Sequence, residues 1–582
     1  PNNILLLTFT KKAAQEMLKR ATSILDERCE QVQGGTFHSF SNLVLRKYSS
    51  FLGLKNNFTI IDSPDAQDII SHWTNILYPK KEKRFPKKST ILEIYSKSVN
   101  KKIPVAQIIE QEYYNFISVT DKIIKIQKAY VDYKREKSLL DYDDLLLYLK
   151  FLLEDNEQIR KKLSNQYKYI QVDEYQDTNS LQADIIKLLA SEHNNVLAVG
   201  DDKQSIYGFR GANYKNILEF DSIFPNTKII KLEKNYRSNQ NILNLTNEIV
   251  KQAKTGYEKN LYSDIVSINK PGLIKAKNSQ MESEFVCQKI LELLDEGLEL
   301  KDICVLIRNS RMSYNLEIEL SKYNIPYQKF GGLKFIDSAH IKDLIAHLRV
   351  ILNPDDEISL NRILLLLQGI GPKAVSTIIP LITQKNYATK LLPSKISVSV
   401  EPLFSLLSKA GKLELDRIIE EIINYYKPIL KEKYEDYQKR EKDLDHFLYL
   451  SKNYKKLDSF LSDLALEPPE GSVEGVYKKN VKDDCLTIST IHSAKGLEWN
   501  SVFIIGAVEG RFPSVYSYNS TEEMEEELRL MYVATTRAKS NLFISYPIDM
   551  YDYSTQMIIS KPSRFLDKIG DDLLEIWDIE EE

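Results

Sequence analysis

The chain has 582 residues, which predicts about four domain-sized units, and its content of 43% apolar and 28% charged residues is ordinary for a globular protein. Its formal net charge of −3 gives no overall basic field, so any binding to nucleic acid must use a local groove. The four cysteines form no CxxC pair, which suits a reducing cytoplasm and argues against a disulfide framework, a zinc ribbon and a four-cysteine iron–sulfur cluster.

The first predicted element is a strand, because residues 3–8 read "NILLLT". The sequence begins at Pro1 without Met and enters this strand at once, so we expect that it starts inside a domain. A long helical pattern then covers residues 63–165 and includes the lysine-rich "YPKKEKRFPKK" (78–88).

A strand–helix–strand unit follows. "YKYIQVDE" (167–174) and "NNVLAVGD" (194–201) are typical of buried strands. Between them, "SLQADIIKLLASEH" (180–193) places Leu181, Ile185, Leu188 and Leu189 on one helical face. This order predicts a parallel sheet covered by helices.

The second half of the chain repeats the pattern. Residues 333–482 are helical in pattern, and we expect their charged run at 431–443 to be a solvated helix face. "DDCLTISTIH" (483–492) and "SVFIIGA" (501–507) are typical of strands, and residues 521–539 of an amphipathic helix. We therefore predict two α/β lobes, each with a helical insertion.

Two adjacent acids, Asp173 and Glu174, stand at the carboxyl end of the first of these strands, where α/β sheets bind ligands. A divalent cation on Asp173 would relieve their repulsion and leave Glu174 to orient or deprotonate a water. The alternative is a solvated turn, which is the commoner explanation of an isolated Asp-Glu pair.

The next strand leads into "GDDKQSIYGFRGA" (200–212). Its Gln204 is able to contact a phosphate. Tyr207, Phe209 and Arg210 alternate aromatic rings with a cation, which suits stacking on unpaired bases. Taken alone, Tyr207 and Phe209 would more often be core residues.

The chain as a whole resembles the superfamily 1 DNA helicases of the UvrD/PcrA/Rep type over nearly its full length. The motifs that carry the resemblance stand in the family's order: "LLLTFTKKAAQEM" (5–17), "GGTFHSF" (34–40), "DYDDLL" (141–146), "VDEYQDTNSLQ" (172–182), "GDDKQSIYGFRGA" (200–212), "LEKNYRSN" (232–239), "FGGLKFIDSAHIKDLIAHLR" (330–349), "TIHSAKGLEW" (490–499) and "YVATTRAK" (532–539).

The resemblance implies an α/β fold of two RecA-like parallel-sheet lobes, each with a mainly helical insertion, that clamp ATP in the cleft between them. On this pattern the first lobe comprises residues 1–40 and 166–232, with its insertion at 41–165. The second lobe comprises residues 233–332 and 483–582, with its insertion at 333–482.

The implied cofactors are ATP and Mg²⁺. Asp173 would coordinate the metal, Glu174 would position and activate the attacking water, and Gln204 would sense the γ-phosphate. Arg237 and Arg537 would be arginine fingers on the developing charge, a role that can contribute ~10³–10⁵ in rate.

The resemblance also assigns binding roles. Tyr236 would stack on adenine, and Glu498 would help bind the nucleotide and link it to DNA. Asp201 and Asp202 would either contact DNA or cap their loop, and "QGIGPKA" (368–374) is either a duplex-phosphate contact or a structural turn. The path of single-stranded DNA would be lined by Phe9, Thr36, His38, Tyr207, Phe209, Arg210 and His492.

One departure concerns the phosphate-binding loop, GxxxxGK[ST]. In the family it lies upstream of "TFTKKAA", and nothing in these residues replaces it. Since Asp173, Glu174, Arg237 and Arg537 are all in place, we expect a fragment of a longer protein that is inactive alone, not a degenerate relative.

The leading hypothesis is an ATP-dependent 3′→5′ DNA helicase of DNA repair or replication, located in the cytoplasm. Its partners would be single-stranded DNA, single-strand/duplex junctions and accessory proteins. We expect no membrane contact, because no apolar run approaches the roughly 18 residues of a membrane span. The alternatives are a non-hydrolysing DNA-binding partner subunit and the helicase subunit of a recombination helicase–nuclease.

Overall fold

The structure is a computed structural model. It describes residues 1–579 except 10, 55–57, 62, 80–83, 331–337, 353, 355, 385–391, 411–412, 453, 455, 458–459, 462–483, 553–556 and 560. The chain divides into two compact units. Unit 1 consists of Pro1–Leu232 and Ala253–Lys259, and unit 2 of Glu233–Gln252 and Asn260–Glu582. The lobe and insertion boundaries given above stay predictions.

The strands of the described residues are β1 (Ile4–Thr8), β2 (Gln33–Thr36), β3 (Thr59–Ile60), β4 (Leu139–Leu140), β5 (Tyr169–Val172), β6 (Val196–Ala198), β7 (Gly272–Ala276), β8 (Ile303–Ile307), β9 (Tyr327–Phe330), β10 (Leu486–Thr490), β11 (Trp499–Ile504), β12 (Ala538–Pro547), β13 (Met550–Asp552), β14 (Met557–Ile559) and β15 (Glu575–Ile579).

The helices of unit 1 are Lys11–Ile24, Phe37–Tyr48, Ser63–Leu77, Lys88–Lys101, Val105–Glu112, Thr120–Lys137, Tyr142–Asp155, Glu157–Gln166, Ser180–Leu189, Lys215–Leu218 and Phe220–Ile223. Those of unit 2 are Gln240–Val250, Ser279–Asp295, Tyr314–Lys322, Ala339–Leu352, Glu357–Leu364, Pro372–Thr383, Ser394–Ala410, Leu415–Lys433, Tyr437–Ser451, Ile491–Ala494 and Thr521–Thr535.

The main sheet of unit 1 has the strand order β2-β1-β5-β6, and every pairing in it is parallel. β1 is apolar except for its last residue, Thr8, and Leu5, Leu6 and Leu7 are all buried, as expected for a parallel strand that is covered on both faces. The prediction of a mixed α/β fold with parallel strands is confirmed.

The predicted strand–helix–strand unit is present as β5, the helix Ser180–Leu189 and β6. The helix begins where Asn179 and Gln182 form a reciprocal capping box, with N···O distances of 2.8 and 3.0 Å. It ends four residues earlier than predicted, because the chain turns and Asn194 adopts a left-handed φ of 50°.

The main sheet of unit 2 has the order β15-β7-β12-β11-β8-β10-β9, again entirely parallel. Its core includes Val305, Ile488 and Phe503, all fully or almost fully buried. The predicted helix at 521–539 ends at Thr535, because β12 starts at Ala538.

Helices fill the two stretches in which the sequence predicts them. Those between residues 63 and 137 pack around buried isoleucines that include Ile91, Ile94 and Ile123. The helices between 339 and 451 form two clusters, around Ile419 and around Phe404. Residues 333–337 and 462–482, which the second prediction also includes, lie outside the described residues.

A buried ion cluster fixes the start of the helix Tyr142–Asp155. Asp141 caps this helix by accepting from the backbone N–H of Asp144 at 2.9 Å. Lys134, only 5% exposed, places its Nζ 2.5 Å from Asp141 and 2.6 Å from Asp144. The hydroxyl of Tyr130 donates to Asp141 at 2.7 Å. The acids of the "DYDDLL" motif therefore have a structural role.

We expect Lys134→Met to lower the free energy of unfolding of unit 1 by about 3–5 kcal/mol, because it leaves buried carboxylates without their cation. Lys137→Met is the matched control, since Lys137 pairs with Glu136 at the surface, and it should cost no more than about 1 kcal/mol. Urea denaturation of the three proteins measures both effects. Equal losses would contradict the structural role of Lys134.

Candidate functional site

Asp173 and Glu174 follow β5 directly, at the carboxyl edge of the sheet of unit 1. The backbone N–H of Asp173 donates to the carbonyl of Leu7 at 2.9 Å and so extends the β1–β5 pairing. Glu174 then has φ 53° and ψ 42°, in the left-handed region. Such strain in a non-glycine residue costs about 1–3 kcal/mol and clusters at functional sites.

The loop after β6 lies beside these acids. Its short 3₁₀ helix, Asp202–Gln204, is capped by Asp201, which accepts from the backbone N–H of Lys203 at 3.0 Å. The amide of Gln204 donates to the second carboxylate oxygen of Asp201 at 3.0 Å. Gln176 connects this loop to Glu174, since its Nε2 lies 2.6 Å from the Glu174 carboxylate and its Oε1 accepts from the N–H of Asp201 at 3.0 Å.

The segment Ala253–Lys259 belongs to unit 1 and packs on the same loop. Lys259 forms an ion pair with Asp201. Asp202 is buried, accepts from the backbone N–H of Tyr257 at 3.2 Å and lies 3.4 Å from the Nζ of Lys203. Burial raises the pKa of Asp202. Both acids thus serve contacts inside unit 1, which agrees with the loop-capping alternative.

Three aromatic side chains form a cluster at the surface, which we call the aromatic platform: Phe9 and Phe209, which are exposed, and Tyr207, which is half-buried. The rings of Phe9 and Tyr207 are stacked, with centroids 5.4 Å apart and an interplanar angle of 7°. Phe209 lies 6.1 Å from Tyr207 and is 51% exposed. The platform is therefore not part of the core. Arg210 belongs to the short helix Gly208–Arg210, but its side chain lies outside the described residues.

Thr36 and His38 stand at the start of the helix Phe37–Tyr48, where β2 ends. Thr36 caps this helix by accepting from the backbone N–H of Ser39 at 3.2 Å. His38 meets the ring of Tyr142 edge-on, with centroids 6.0 Å apart, and burial lowers the pKa of His38.

Unit 2 contains an open pocket of about 500 Å³. Tyr236, which is 80% exposed, provides the aromatic surface of this pocket. Its wall is lined by Lys234, Asn235, Tyr236, Arg237, Glu498 and Lys539. An exposed ring beside several cations suits an aromatic ligand that carries negative charge.

Glu498 joins two of the cations in this pocket. Its two carboxylate oxygens lie 2.5 Å from the Nε of Arg237 and 2.9 Å from the Nζ of Lys539. Burial acts to raise the pKa of Glu498, but hydrogen bonds from Lys539 and Arg237 outweigh it, and the pKa lies below the usual value. The carboxylate is thus a counter-ion for both cations.

Arg537 is buried beside this pocket and does not belong to its wall. Its side chain is only 2% exposed and does not line the pocket. Its Nε donates to the carbonyl of Val533 at 3.0 Å, and its other nitrogens donate to the carbonyl of Leu497 and the hydroxyl of Thr536, each at 3.0 Å. In this conformation the guanidinium braces the backbone beside Glu498.

Two further expectations concern unit 2. His492 is half-buried in the short helix Ile491–Ala494, which Thr490 caps at the end of β10. In the stretch 368–374, Gly369 has a left-handed φ of 80° and Gly371 precedes the helix Pro372–Thr383. This geometry is compatible with both alternatives for residues 368–374, a contact with a duplex phosphate and a structural turn.

Within unit 1 the structure joins Glu174 to Gln204 through intervening residues and brings Phe9 next to Tyr207. Within unit 2 it brings Tyr236, Arg237 and Glu498 to one pocket. The residues that contact these sites and that the sequence analysis missed include Gln176, Lys259 and Lys539. Gln176 and Lys539 lie inside quoted motifs, but nothing in the sequence showed which side chains they would meet.

The donor set at the end of β5 fits Mg²⁺. This ion keeps several waters and binds through one or two carboxylates together with substrate phosphates, and Asp173 offers such a carboxylate. Among the described residues, no group of three or more His, Cys, Asp or Glu side chains could hold a metal ion. Asp173 would therefore act with the ligands that the nucleotide and water provide.

Of the helices that the structure describes, none is both long enough and apolar enough to cross a membrane.

Comparison with known proteins gives sequence matches along nearly the whole chain. The sequence model of the UvrD/REP helicase N-terminal domain matches residues 1–225, and that of the UvrD-like helicase C-terminal domain matches residues 230–548. The ATP-dependent DNA helicase PcrA of Staphylococcus epidermidis is 34% identical over 609 aligned positions, which cover 99% of this chain and 81% of that protein. The protein of the same name from Staphylococcus aureus is 33% identical over 608 positions, with the same coverage.

Proposed function

The chain belongs to the UvrD-like helicase family, and from this premise we propose that it acts as an ATP-dependent DNA helicase. The observation that carries the proposal is the hydrogen-bonded set at the carboxyl edge of the sheet of unit 1. There Glu174, whose backbone is in the left-handed region, is joined by hydrogen bonds through Gln176 and Asp201 to Gln204. We further propose 3′→5′ movement on single-stranded DNA and a role in DNA repair or replication in the cytoplasm. Both proposals follow from the resemblance to the UvrD/PcrA/Rep helicases.

In unit 1, the proposed roles follow from position. Asp173 would bind Mg²⁺, which when bound supplies charge neutralisation at the phosphates. Glu174 would orient the attacking water and accept its proton, since a carboxylate on this strained turn can act as a general base. Gln204 would present its amide to the terminal phosphate, after exchanging its contact with Asp201.

In unit 2, the pocket supports binding of a nucleotide. Tyr236 would stack on the base, and Glu498 would hold Arg237 and Lys539 until phosphate oxygens replace it as their partner. Arg237 would then stabilise the developing charge. We retain Arg537 as the second arginine of the reaction, on the condition that it exchanges the carbonyl oxygens of Val533 and Leu497 for phosphate oxygens.

DNA would be held by the aromatic platform, with Thr36, His38, Arg210 and His492 as further contacts. The exposed rings of Phe9 and Phe209 support this role, because every base offers a face for stacking and the overall charge of the chain is close to neutral. Single-strand/duplex junctions and accessory repair or replication proteins are the proposed partners.

A second candidate is a non-hydrolysing DNA-binding subunit. It is favoured by one observation, which is that the 582 residues contain no GxxxxGK[ST] loop. The experiment that decides uses what we call the loop-complete protein, namely these residues preceded by the phosphate-binding segment of a family member. It should unwind a duplex with a 3′ single-stranded tail when ATP is added, and leave a duplex with a 5′ tail intact.

The 582 residues by themselves should bind ATP weakly and show no DNA-stimulated turnover, because the cradle for the β- and γ-phosphates is missing from them. Phosphate release is measured with and without oligothymidine. The loop-complete protein is the positive control and should turn over at roughly 1–10³ per second. A similar rate from the 582 residues alone would contradict our assignment of the nucleotide site.

Glu174→Gln in the loop-complete protein should leave binding of ATP with Mg²⁺ within about two-fold and lower kcat by at least roughly 10²-fold, because it removes only the group that takes the proton. Asp173→Ala should weaken binding that depends on Mg²⁺ as well. Binding is measured with a fluorescent ATP analogue and turnover by phosphate release. Near-normal turnover in Glu174→Gln would return the acid pair to a purely structural role.

Phe209→Ala should weaken binding of oligothymidine by ~1–3 kcal/mol per lost base stack and leave the logarithmic salt slope unchanged, because no phosphate contact is removed. Its melting temperature should change little, since the ring is half-exposed. Fluorescence anisotropy at several salt concentrations measures the binding.

The matched control for this prediction is Phe220→Ala. The ring of Phe220 is buried and lies edge-on to Tyr175, with centroids 5.2 Å apart, so its loss should cost about 3–5 kcal/mol of stability and leave DNA affinity unchanged. If Phe209→Ala instead melted earlier and bound DNA normally, the stacking role would be refuted.

A further inference from the structure

We propose that Gln176 is a positioning residue, which holds the carboxylate of Glu174 in register with the loop that carries Gln204. This inference rests on the proposed function, because it concerns the side chain to which that function assigns the attacking water. Gln176 itself would contact neither nucleotide nor DNA.

The polar contacts of Gln176 join the turn after β5, to which Gln176 and Glu174 both belong, to the loop after β6. Its Nε2 donates to the Glu174 carboxylate at 2.6 Å, and its Oε1 accepts from the backbone N–H of Asp201 at 3.0 Å. Its backbone carbonyl accepts from the hydroxyl of Ser205 at 3.0 Å. The residue is fully buried. Since an amide has one donor end and one acceptor end, these contacts fix which end faces Glu174.

The loop after β6 is shaped around this amide. A Cβ at Gly200 would stand 2.3 Å from the Oε1 of Gln176 and 2.8 Å from the Cδ1 of Ile217. No other residue type fits at position 200 unless the amide moves. The approach of the two segments therefore depends on a glycine in one and a glutamine in the other.

The hydrogen bond from Gln176 to Glu174 can stabilise the conformation of Glu174. Glu174 is held in a left-handed backbone conformation, which persists only where surrounding contacts over-determine it. A hydrogen bond to an ionised acceptor is roughly twice as strong as a neutral one, and 2.6 Å lies at the short end of such bonds. Gln176 can thus keep the carboxylate pointing in one direction.

The same amide links two proposed functions. Asp201 receives the contacts of both glutamines, because its N–H donates to Gln176 and its carboxylate accepts from Gln204. The loop then continues to Tyr207 and Phe209 of the aromatic platform. A shift of this loop on stacking with a base would consequently be transmitted to Glu174 through Gln176.

The first test is a double-mutant cycle on the 582 residues, read as melting temperature near neutral pH. Gln176→Glu places a second carboxylate against Glu174 and should lower the melting temperature by roughly 3–8 °C. In a Glu174→Gln background the same change recreates a donor–acceptor pair and should cost less than about 2 °C. An equal loss in both backgrounds would overturn the proposal.

Gln182→Glu is the matched control for this cycle. Gln182 is also buried, stands on the following helix and accepts from the backbone N–H of Asn179. A glutamate serves equally well at this position of a capping box, so the change should cost the same, less than about 2 °C, in both backgrounds.

The second test addresses positioning in the loop-complete protein. Gln176→Met keeps the side-chain volume and removes both hydrogen bonds, so kcat should fall roughly 10–100-fold while KM for ATP stays within about two-fold. Gln182→Met, which loses a cap and no contact with Glu174, should keep kcat. A normal kcat in Gln176→Met, or an equal fall in both variants, would overturn the proposal.

Failure of the proposed function gives a different result. If the loop-complete protein hydrolysed no ATP, that function would be refuted, while the melting temperatures would still decide whether Gln176 orients Glu174.

Discussion

Parallel pairing is the constraint on which the site in unit 1 depends. Because β1, β5 and β6 run in the same direction, their carboxyl ends meet at one edge of the sheet. The residues that follow these strands include Phe9, the Asp173–Glu174 pair and the loop that begins at Gly200. Side chains that are far apart in the sequence, such as Phe9 and Tyr207, thereby become neighbours through the strand pairing alone.

Unit 2 uses its sheet differently. His492 follows the carboxyl end of β10, but of the residues that line the pocket Glu498 immediately precedes β11 and Lys539 is the second residue of β12. The pocket is therefore built at the amino edge of these strands, where the rule that locates ligands at carboxyl ends gives no guidance. Its geometry comes instead from the ion pairs of Glu498, with Arg237 on one oxygen and Lys539 on the other.

The sequence predicted the secondary-structure elements and the family well. Both follow from properties that can be read locally, namely the hydrophobic period and the order of the motifs. The strands at 167–174 and 501–507 and the helix at 180–193 are present with ends shifted by a few residues. Contacts between distant segments were not predictable in this way. The pairing of Lys259 with Asp201 depends on where a segment 58 residues downstream returns to unit 1, and a single sequence carries no signal of that return.

The contrast between the two arginines shows what a motif leaves undecided. A motif names the residue but not the partners of its side chain, and the energetic cost of changing partners differs greatly between these two. Arg237 and Glu498 are both partly exposed, at 30% and 41% of their side-chain surface, and an ion pair in such a setting contributes only about 0–1 kcal/mol. Exchange of Glu498 for a phosphate therefore costs Arg237 little.

For Arg537, a change of partners costs more energy. Its guanidinium is buried and donates to two backbone carbonyls, so moving it would break both bonds, at about 1–3 kcal/mol for a group left unsatisfied. The carbonyl of Val533 would keep the bond that the hydroxyl of Thr536 donates to it at 2.9 Å. The ligand must supply that energy before Arg537 can act. On the proposed function, Arg237 would be suited to first capture of a nucleotide, whereas Arg537 would be suited to a step that only a fully bound nucleotide can drive.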